Sequence, residues 1–231
     1  MKIPVVRNIL EVNERMAIEN RRLFDDHHLL VINLMSSPGA GKTSLLEKTI
    51  DGLGDRVRMG VIEGDIQSDQ DARRIASKGI TAVQINTDGA CHLDGNMIRA
   101  TFESFNFSAM DLLIIENVGN LVCPAEFNLG EDFKAMLLSV AEGDDKPAKY
   151  PLMFRQSKVL LINKIDLLPY VNCSVEKIRE EALRINPKLT IFEISCQSGQ
   201  GLDAWFDWLQ KAIDTKQQTA TPKGGGLNLR P

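Results

Sequence analysis

Ser36-Ser37-Pro38-Gly39-Ala40-Gly41-Lys42-Thr43-Ser44 lies between an apolar run, Leu29-Leu30-Val31-Ile32-Asn33-Leu34-Met35, and a helix-compatible segment, Leu45-Leu46-Glu47-Lys48-Thr49. A strand, a glycine-rich turn closing in Gly-Lys-Thr and then a helix form a P-loop, whose backbone N–H groups and helix N-terminus cradle phosphate oxygens. Gly39 and Gly41, flanking Ala40, let the backbone curl closely around the anion. Lys42 is expected to reach the β- and γ-phosphates, the Thr43 hydroxyl to ligate the Mg²⁺ that bridges them, and Ser44 to complete the cradle. Ser36 stands where the general pattern has glycine, and its small size keeps the match.

Further along, the second strand is expected over residues 56–63, ending at Gly64-Asp65. Ligands of open parallel sheets bind at the strands' carboxyl ends, so Asp65 is placed to meet Mg²⁺ or its waters; a helix N-cap is the other reading. A helix over residues 68–76 and a strand over 81–85 follow. Cys91 and His92 fall at a junction between a polar turn and a helix expected over residues 93–105. The buried run Leu112-Leu113-Ile114-Ile115 ends in Glu116-Asn117-Val118-Gly119, the position at which P-loop GTPases sense the γ-phosphate, with Glu116 in place of the commoner Asp. Cys123 comes four residues after Gly119.

Another strand is expected over residues 133–141 and another over 158–162, the latter running into Asn163-Lys164-Ile165-Asp166. This is a guanine-selecting motif. Asn163 fixes the base and a neighbouring loop, the Lys164 stem covers the ring, and the Asp166 carboxylate accepts from N1 and N2 of guanine. Adenine has no such donor pair, so it would leave a buried acceptor unpaired. After a helix over residues 174–185 and a strand over 189–194 comes Ser195-Cys196, where backbone N–H groups approach the guanine O6 in related loops. Trp205, Trp208 and Leu209 mark the apolar side of a closing helix over residues 201–213.

Together these elements predict an α/β P-loop NTPase fold, a mostly parallel sheet with helices on both faces. The expected organisation is an N-terminal helical segment over residues 1–28, a nucleotide-binding domain over 29–213 and a tail without fixed structure over 214–231. His27 and His28 close the first helix; adjacent residues diverge around a helix, which favours a solvated or capping role over metal binding. With 231 residues, 43% of them hydrophobic, one large core suffices. A net charge of −4 gives no reason to expect nucleic acid as a partner. The absence of a signal-like N-terminus or a membrane-length apolar run points to a cytoplasmic location away from membranes. Four cysteines, Cys91, Cys123, Cys173 and Cys196, then read as thiols, ligands or core residues.

With these residues assembled, the chain resembles the HypB family of nickel-incorporation GTPases that serve [NiFe]-hydrogenase maturation, within the metal-chaperone group of P-loop GTPases. The resemblance rests on Ser36 to Thr43, Glu63-Gly64-Asp65-Ile66, Asp88 to Leu93, Glu116 to Pro124 and Asn163 to Asp166. It implies Mg²⁺-dependent hydrolysis of GTP to GDP and phosphate, with Lys42, Asp65 and Glu116 catalytic. It also implies a GTP-dependent homodimer with a Ni²⁺ or Zn²⁺ site from Cys91, His92 and Cys123 at its interface, and as partners a nickel-delivery protein and the hydrogenase large-subunit precursor. From chemistry alone, two thiolates and an imidazole suit either metal, while core cysteines and an N-capping histidine remain the competing reading. Some family members carry a histidine-rich stretch or a cysteine cluster near the N-terminus; this chain has neither, so no separate nickel store is expected. Another metal cargo, for urease or a cobalamin enzyme, is the neighbouring alternative. A small-molecule kinase is disfavoured because such enzymes rarely need guanine.

Overall fold

Apolar runs too short for core helices, bounded by Gly, Asp and Asn, become strands buried on both faces, the pattern of a covered parallel sheet. A computed structural model describes residues 8–65 and 70–219. The order is α1 (Asn8–Asp26), β1 (Leu30–Ser36), α2 (Lys42–Leu53), β2 (Met59–Asp65), α3 (Gln70–Ala76), β3 (Thr81–Asn86), α4 (Gly95–Arg99), β4 (Leu112–Glu116), α5 (Cys123–Glu126), β5 (Phe133–Ser139), α6 (Lys146–Lys149), α7 (Pro151–Gln156), β6 (Ser157–Asn163), α8 (Val175–Ile185), β7 (Thr190–Glu193) and α9 (Leu202–Gln218). All strand pairings are parallel, in the order β3-β2-β4-β1-β5-β6-β7. The loop after β1 therefore leaves from the middle of the sheet, with the end of β4 beside it.

Alternation along the strands sorts the core into two layers. Leu30, Ile32, Leu34, Leu112 and Ile114 face Leu46 of α2, Ile75 of α3 and Leu209 of α9. On the opposite face, Val31, Leu113 and Ile115 meet Phe24 of α1 and Ile98 of α4, while Leu138 and Leu160 meet Phe154 of α7 and Ile178 of α8. Each such side chain contributes roughly 1.5–3 kcal/mol on burial, so these layers outweigh any single cap or ion pair.

Helix α1 docks on the domain as well as preceding it. Ala17 and Phe24 are fully buried, and two buried asparagines tie the helix to its neighbours. Asn13 Oδ1 accepts from Gly95 N at 2.8 Å, and Asn20 Nδ2 donates to Gly95 O at 2.9 Å and Leu129 O at 3.2 Å. The start of α4 is thereby pinned to α1.

Three expectations need correction. The helix expected over residues 93–105 is only Gly95–Arg99, followed by a 3₁₀ turn, Phe102–Ser104. Thr101 Oγ1 bonds back to Ile98 O, and Phe105 and Phe107 are drawn into the apolar layer around Phe24. Helices α6 and α7 lie in a stretch the sequence reading left without helices; both are short and open with Pro at their first turn. Helix α9 continues past residue 213 to Gln218, where Lys216 pairs with Asp25 and, at 2.9 Å, with Asp132, and Gln217 donates to Asp111 at 2.9 Å. These polar anchors carry no apolar periodicity. The rest of the expected tail, residues 220–231, and the first residues of the helix expected over 68–76 lie outside the described residues.

Candidate nucleotide and metal site

A cavity of about 470 Å³ opens at the carboxyl ends of β1, β2 and β4, with Lys42, Thr43, Asp65, Glu116 and Gly119 in its wall. Gly41 has φ 104°, and a Cβ there would lie 2.7 Å from the Asn163 amide, so the loop requires glycine on both counts. Lys42 and Thr43 are buried at the first turn of α2. Lys42 Nζ donates to Ser36 Oγ at 3.1 Å and lies 3.9 Å from Glu116 Oε1; Thr43 Oγ1 donates to the same oxygen at 3.2 Å. Ser36 thus holds the lysine in place, a use for the residue that replaces glycine.

Register places Glu63 of β2 directly opposite Glu116 of β4, and both are buried. Burial, then the charge of Glu116, pushes the Glu63 carboxyl far up; burial also raises Glu116, against the opposing pull of Lys42. Two facing carboxyls buried together disfavour charge on both, so a proton is held here more tightly than on a free carboxylate. Glu63 Oε1 and Glu116 Oε2 have no hydrogen-bond partner in the protein. Two orphaned buried oxygens beside Thr43 and Asp65 are a donor set that fits a hard cation or its waters.

The base-side cavity, about 370 Å³, shares Gly41, Ser44 and Lys164 with the first and adds Asn163, Asp166 and Cys196. Asn163 Nδ2 donates to Ala40 O at 2.9 Å, and Lys164 Nζ to Gly39 O at 2.7 Å. Lys164 sits at φ 63° and ψ 34°, a left-handed conformation costing of order 1–3 kcal/mol, which the bond to Gly39 helps hold. Ser195 Oγ donates to Asp166 Oδ1 at 2.5 Å. The Cys196 N–H is used by Asn163 Oδ1 at 3.2 Å, so this residue braces the motif; burial raises its thiol to about 11.

Cys91, His92 and Cys123 come together with their ligand atoms all within 4.8 Å of one another. Cys91 Sγ lies 2.8 Å from Cys123 Sγ and 3.6 Å from His92 Nδ1. All three are half-buried. The His92 ring stacks on Phe127 at 3.7 Å, and burial lowers its pKa, favouring the neutral imidazole that ligates metals. The Cys91 hydrogen bond, then burial, raises the Cys123 thiol. The cap of α4 is Asp94, whose Oδ1 accepts from Met97 N at 2.8 Å, so His92 is not the capping residue. His27 lies just beyond α1, 3.1 Å from Ser108 Oγ, and His28 has φ 55°; among the described residues neither joins a cluster of metal donors. Cys173 packs at the edge of the layer around Phe154.

Residues 30–193 match the sequence model of a family described as CobW/HypB/UreG, nucleotide-binding domain. The chain belongs to this family. A hydrogenase maturation factor HypB from Escherichia coli K12 is 49% identical over 203 residues, covering 88% of this chain and 70% of that protein. The crystal structure of HypB from Archaeoglobus fulgidus superposes with a TM-score of 0.83 at 40% identity, covering 88% of this chain and all of that one. That of HypB from Helicobacter pylori in complex with nickel gives a TM-score of 0.83 at 38% identity, over 92% and 98% of the two chains.

In this CobW/HypB/UreG family chain, residues that the sequence left unassigned also line the phosphate cavity, among them Glu63 and Arg74. Glu63 left a signal, a carboxylate two residues before Asp65 on a strand otherwise apolar, hence on the same face as Asp65. Arg74 pairs with Asp71 at 2.9 Å, an i,i+3 contact that helical spacing announces, and with Glu47 of α2 at 2.7 Å, which spacing does not announce. Among the described residues no helix is long and apolar enough to cross a membrane.

Proposed function

We propose that this chain is a GTP-hydrolysing metallochaperone that binds Ni²⁺ or Zn²⁺ and regulates nickel insertion into a [NiFe]-hydrogenase precursor in the cytoplasm. The observation that carries the reading is the convergence of Cys91 and His92, from the segment between β3 and α4, with Cys123, where the segment that leaves β4 and the phosphate cavity enters α5. The names of the relatives, and the nickel complex of the Helicobacter pylori protein, support nickel as the cargo.

Lys42, Gly39, Ala40, Gly41 and Ser44 hold the phosphates, and Asn163, Lys164 and Asp166 the guanine, with Ser195 and Cys196 bracing the motif. Thr43 and Asp65 would hold Mg²⁺, which when bound neutralises charge between the β- and γ-oxygens. Glu116 takes the side of the cavity where the attacking water must be oriented, and Gly119 opposes Pro38 of the loop. Lys42 places fixed charge where the transferred phosphoryl group develops it.

Three protein donors leave one tetrahedral position on the cargo metal. Val122, beside Cys123, is half exposed, which suits a second copy approaching at this edge in a GTP-dependent homodimer. A nickel-delivery protein and the hydrogenase large-subunit precursor are the partners on this reading. The test is Ni²⁺ titration of purified protein with GDP or a non-hydrolysable GTP analogue, followed by mass measurement of the assembly. The expected result is tighter metal binding and a dimer with the analogue. Weak binding that ignores the nucleotide, by a chain that stays monomeric, would overturn the reading.

A further inference from the structure

Asn117 is fully buried and follows Glu116 directly. Successive residues at a strand end point to opposite faces of the sheet. Glu116 faces the phosphate cavity beside Thr43, whereas the Asn117 side chain turns to the other layer, where Asn33 of β1 and Leu93 lie. Its Oδ1 accepts from Leu93 N at 3.2 Å and Val118 N at 2.9 Å, and its Nδ2 donates to Asn33 Oδ1 at 3.1 Å. Leu93 is the residue after His92. One buried amide therefore joins the segment that leaves the phosphate cavity to the backbone that carries Cys91 and His92.

Two further contacts make this junction tight. The Leu93 side chain lies against Gly64, between Glu63 and Asp65, so closely that a Cβ on Gly64 would come 2.7 Å from Leu93 Cδ1. On the other side, Asn120 Oδ1 accepts from Val122 N at 2.7 Å and Cys123 N at 3.3 Å. Both halves of the cysteine–histidine cluster thus hang from residues 117–120, Cys91 and His92 through Asn117, Cys123 through Asn120.

We infer that Asn117 is a positioning residue that couples the nucleotide to the metal, setting Cys91 and His92 relative to Cys123 through Leu93 as the end of β4 responds to the γ-phosphate. The inference rests on the metal reading of Cys91, His92 and Cys123. Binding at the two sites then shares one free energy of coupling, because each ligand favours the arrangement the other prefers. Asn117 borders the phosphate cavity, but its side-chain hydrogen bonds go to Leu93, Val118 and Asn33, so Asn117→Ala removes the acceptor for Leu93 N without removing a metal donor. Asn117→Asp keeps an acceptor for Leu93 N and Val118 N and loses the donor to Asn33.

The experiment measures Ni²⁺ affinity with GDP and with a GTP analogue for wild type, Asn117→Ala and Asn117→Asp, alongside the thiolate-to-nickel charge-transfer band. Wild type should show a ratio of affinities within the roughly 5–150-fold span of such couplings. Asn117→Ala should bring that ratio to near one and make the band the same in both nucleotide states, and Asn117→Asp, which keeps the acceptor but loses the aim that Asn33 gives it, should leave a ratio between one and the wild-type value. If Asn117→Ala does not fold, Asn33→Ala, which removes the acceptor that aims the amide, carries the test: a lowered ratio supports the inference and a wild-type ratio overturns it. A wild-type protein that binds no Ni²⁺, or binds it equally in both states, overturns the metal reading itself. A coupled wild type whose ratio survives in Asn117→Ala overturns the role of Asn117 alone.

Discussion

The phosphate cleft and the cysteine–histidine cluster lie at the same end of the sheet but are built in opposite ways. In the cleft, one contiguous loop supplies the phosphate-facing backbone, and the side chains that hold it are paired, Lys42 with Ser36, Thr43 with Glu116 and Asn163 with Ala40, while one oxygen each of Glu63 and Glu116 is left open. In the cluster, three half-buried donors come from segments 32 positions apart, and the two sulfurs lie 2.8 Å from each other. A cleft of the first kind is preorganised, so its ligand contributes affinity without ordering the site. A cluster of the second kind depends on what its two supporting segments do. The contrast teaches that, on the proposed function, the phosphate loop can act as the fixed partner and the cysteine–histidine cluster as the adjustable one.

Substitutions can break that contrast, and the largest effect is expected at Lys42. Lys42→Ala should lower GTP turnover by about 10³-fold, measured as phosphate release, while Ni²⁺ affinity with GDP bound stays near wild type. Hydrolysis that persists in the variant would place the chemistry elsewhere. Next comes base choice. Asp166→Asn replaces an acceptor-only carboxylate with an amide, so one guanine donor meets a donor; competition binding should show GTP weakened by about 10–100-fold and XTP gaining relative to it. Cys123→Ala sharpens the comparison from the other side: Ni²⁺ affinity should fall by about tenfold or more with nucleotide affinity unchanged. A variant that binds the metal as wild type does would remove Cys123 from the donor set.

The smallest effect concerns the buried carboxyl pair. Glu63 and Glu116 carry pKa values above the ordinary carboxylate value of 4.5, through burial. A carboxyl whose folded pKa is raised contributes stability that is complete below its unfolded pKa and is lost as pH rises through the folded value. The ligand-free protein should therefore lose stability as pH climbs from about 4.5 through neutrality into the alkaline range. Glu63→Gln, which keeps a donor toward Glu116 and cannot ionise, should flatten that fall, by about 1 kcal/mol at pH 8. Thermal melts without nucleotide or metal check it; parallel pH profiles for the two proteins would show that the pair does not hold its proton more tightly than free carboxylates do.

The cleft was legible because P-loop and guanine motifs are local: Gly39 to Thr43 and Asn163 to Asp166 each carry their geometry in consecutive residues. The parallel sheet was legible for a similar reason, since runs such as Leu112 to Ile115 are apolar on both faces. What escaped was decided by contacts between distant residues. The last turn of α9 is held by Lys216 and Gln217 through Asp25, Asp132 and Asp111, and the short α4 by aromatic packing around Phe24. Glu63 became visible as half of a carboxyl pair only through the register of β2 against β4. The Cys91, His92 and Cys123 set had to be taken from a resemblance, because nothing in a spacing of 32 residues brings the two cysteines together until the sheet does.

Reciprocity gives the most direct test of a fixed cleft coupled to an adjustable cluster. If GTP tightens Ni²⁺ binding, Ni²⁺ must tighten GTP binding by the same factor. The measurement is the affinity of the wild-type protein for a non-hydrolysable GTP analogue with and without saturating Ni²⁺, and of Cys91→Ala under the same two conditions. The account predicts analogue affinity raised several-fold by Ni²⁺ in wild type, corresponding to about 1–3 kcal/mol of coupling, and no change in Cys91→Ala. Equal wild-type affinity with and without the metal would contradict it.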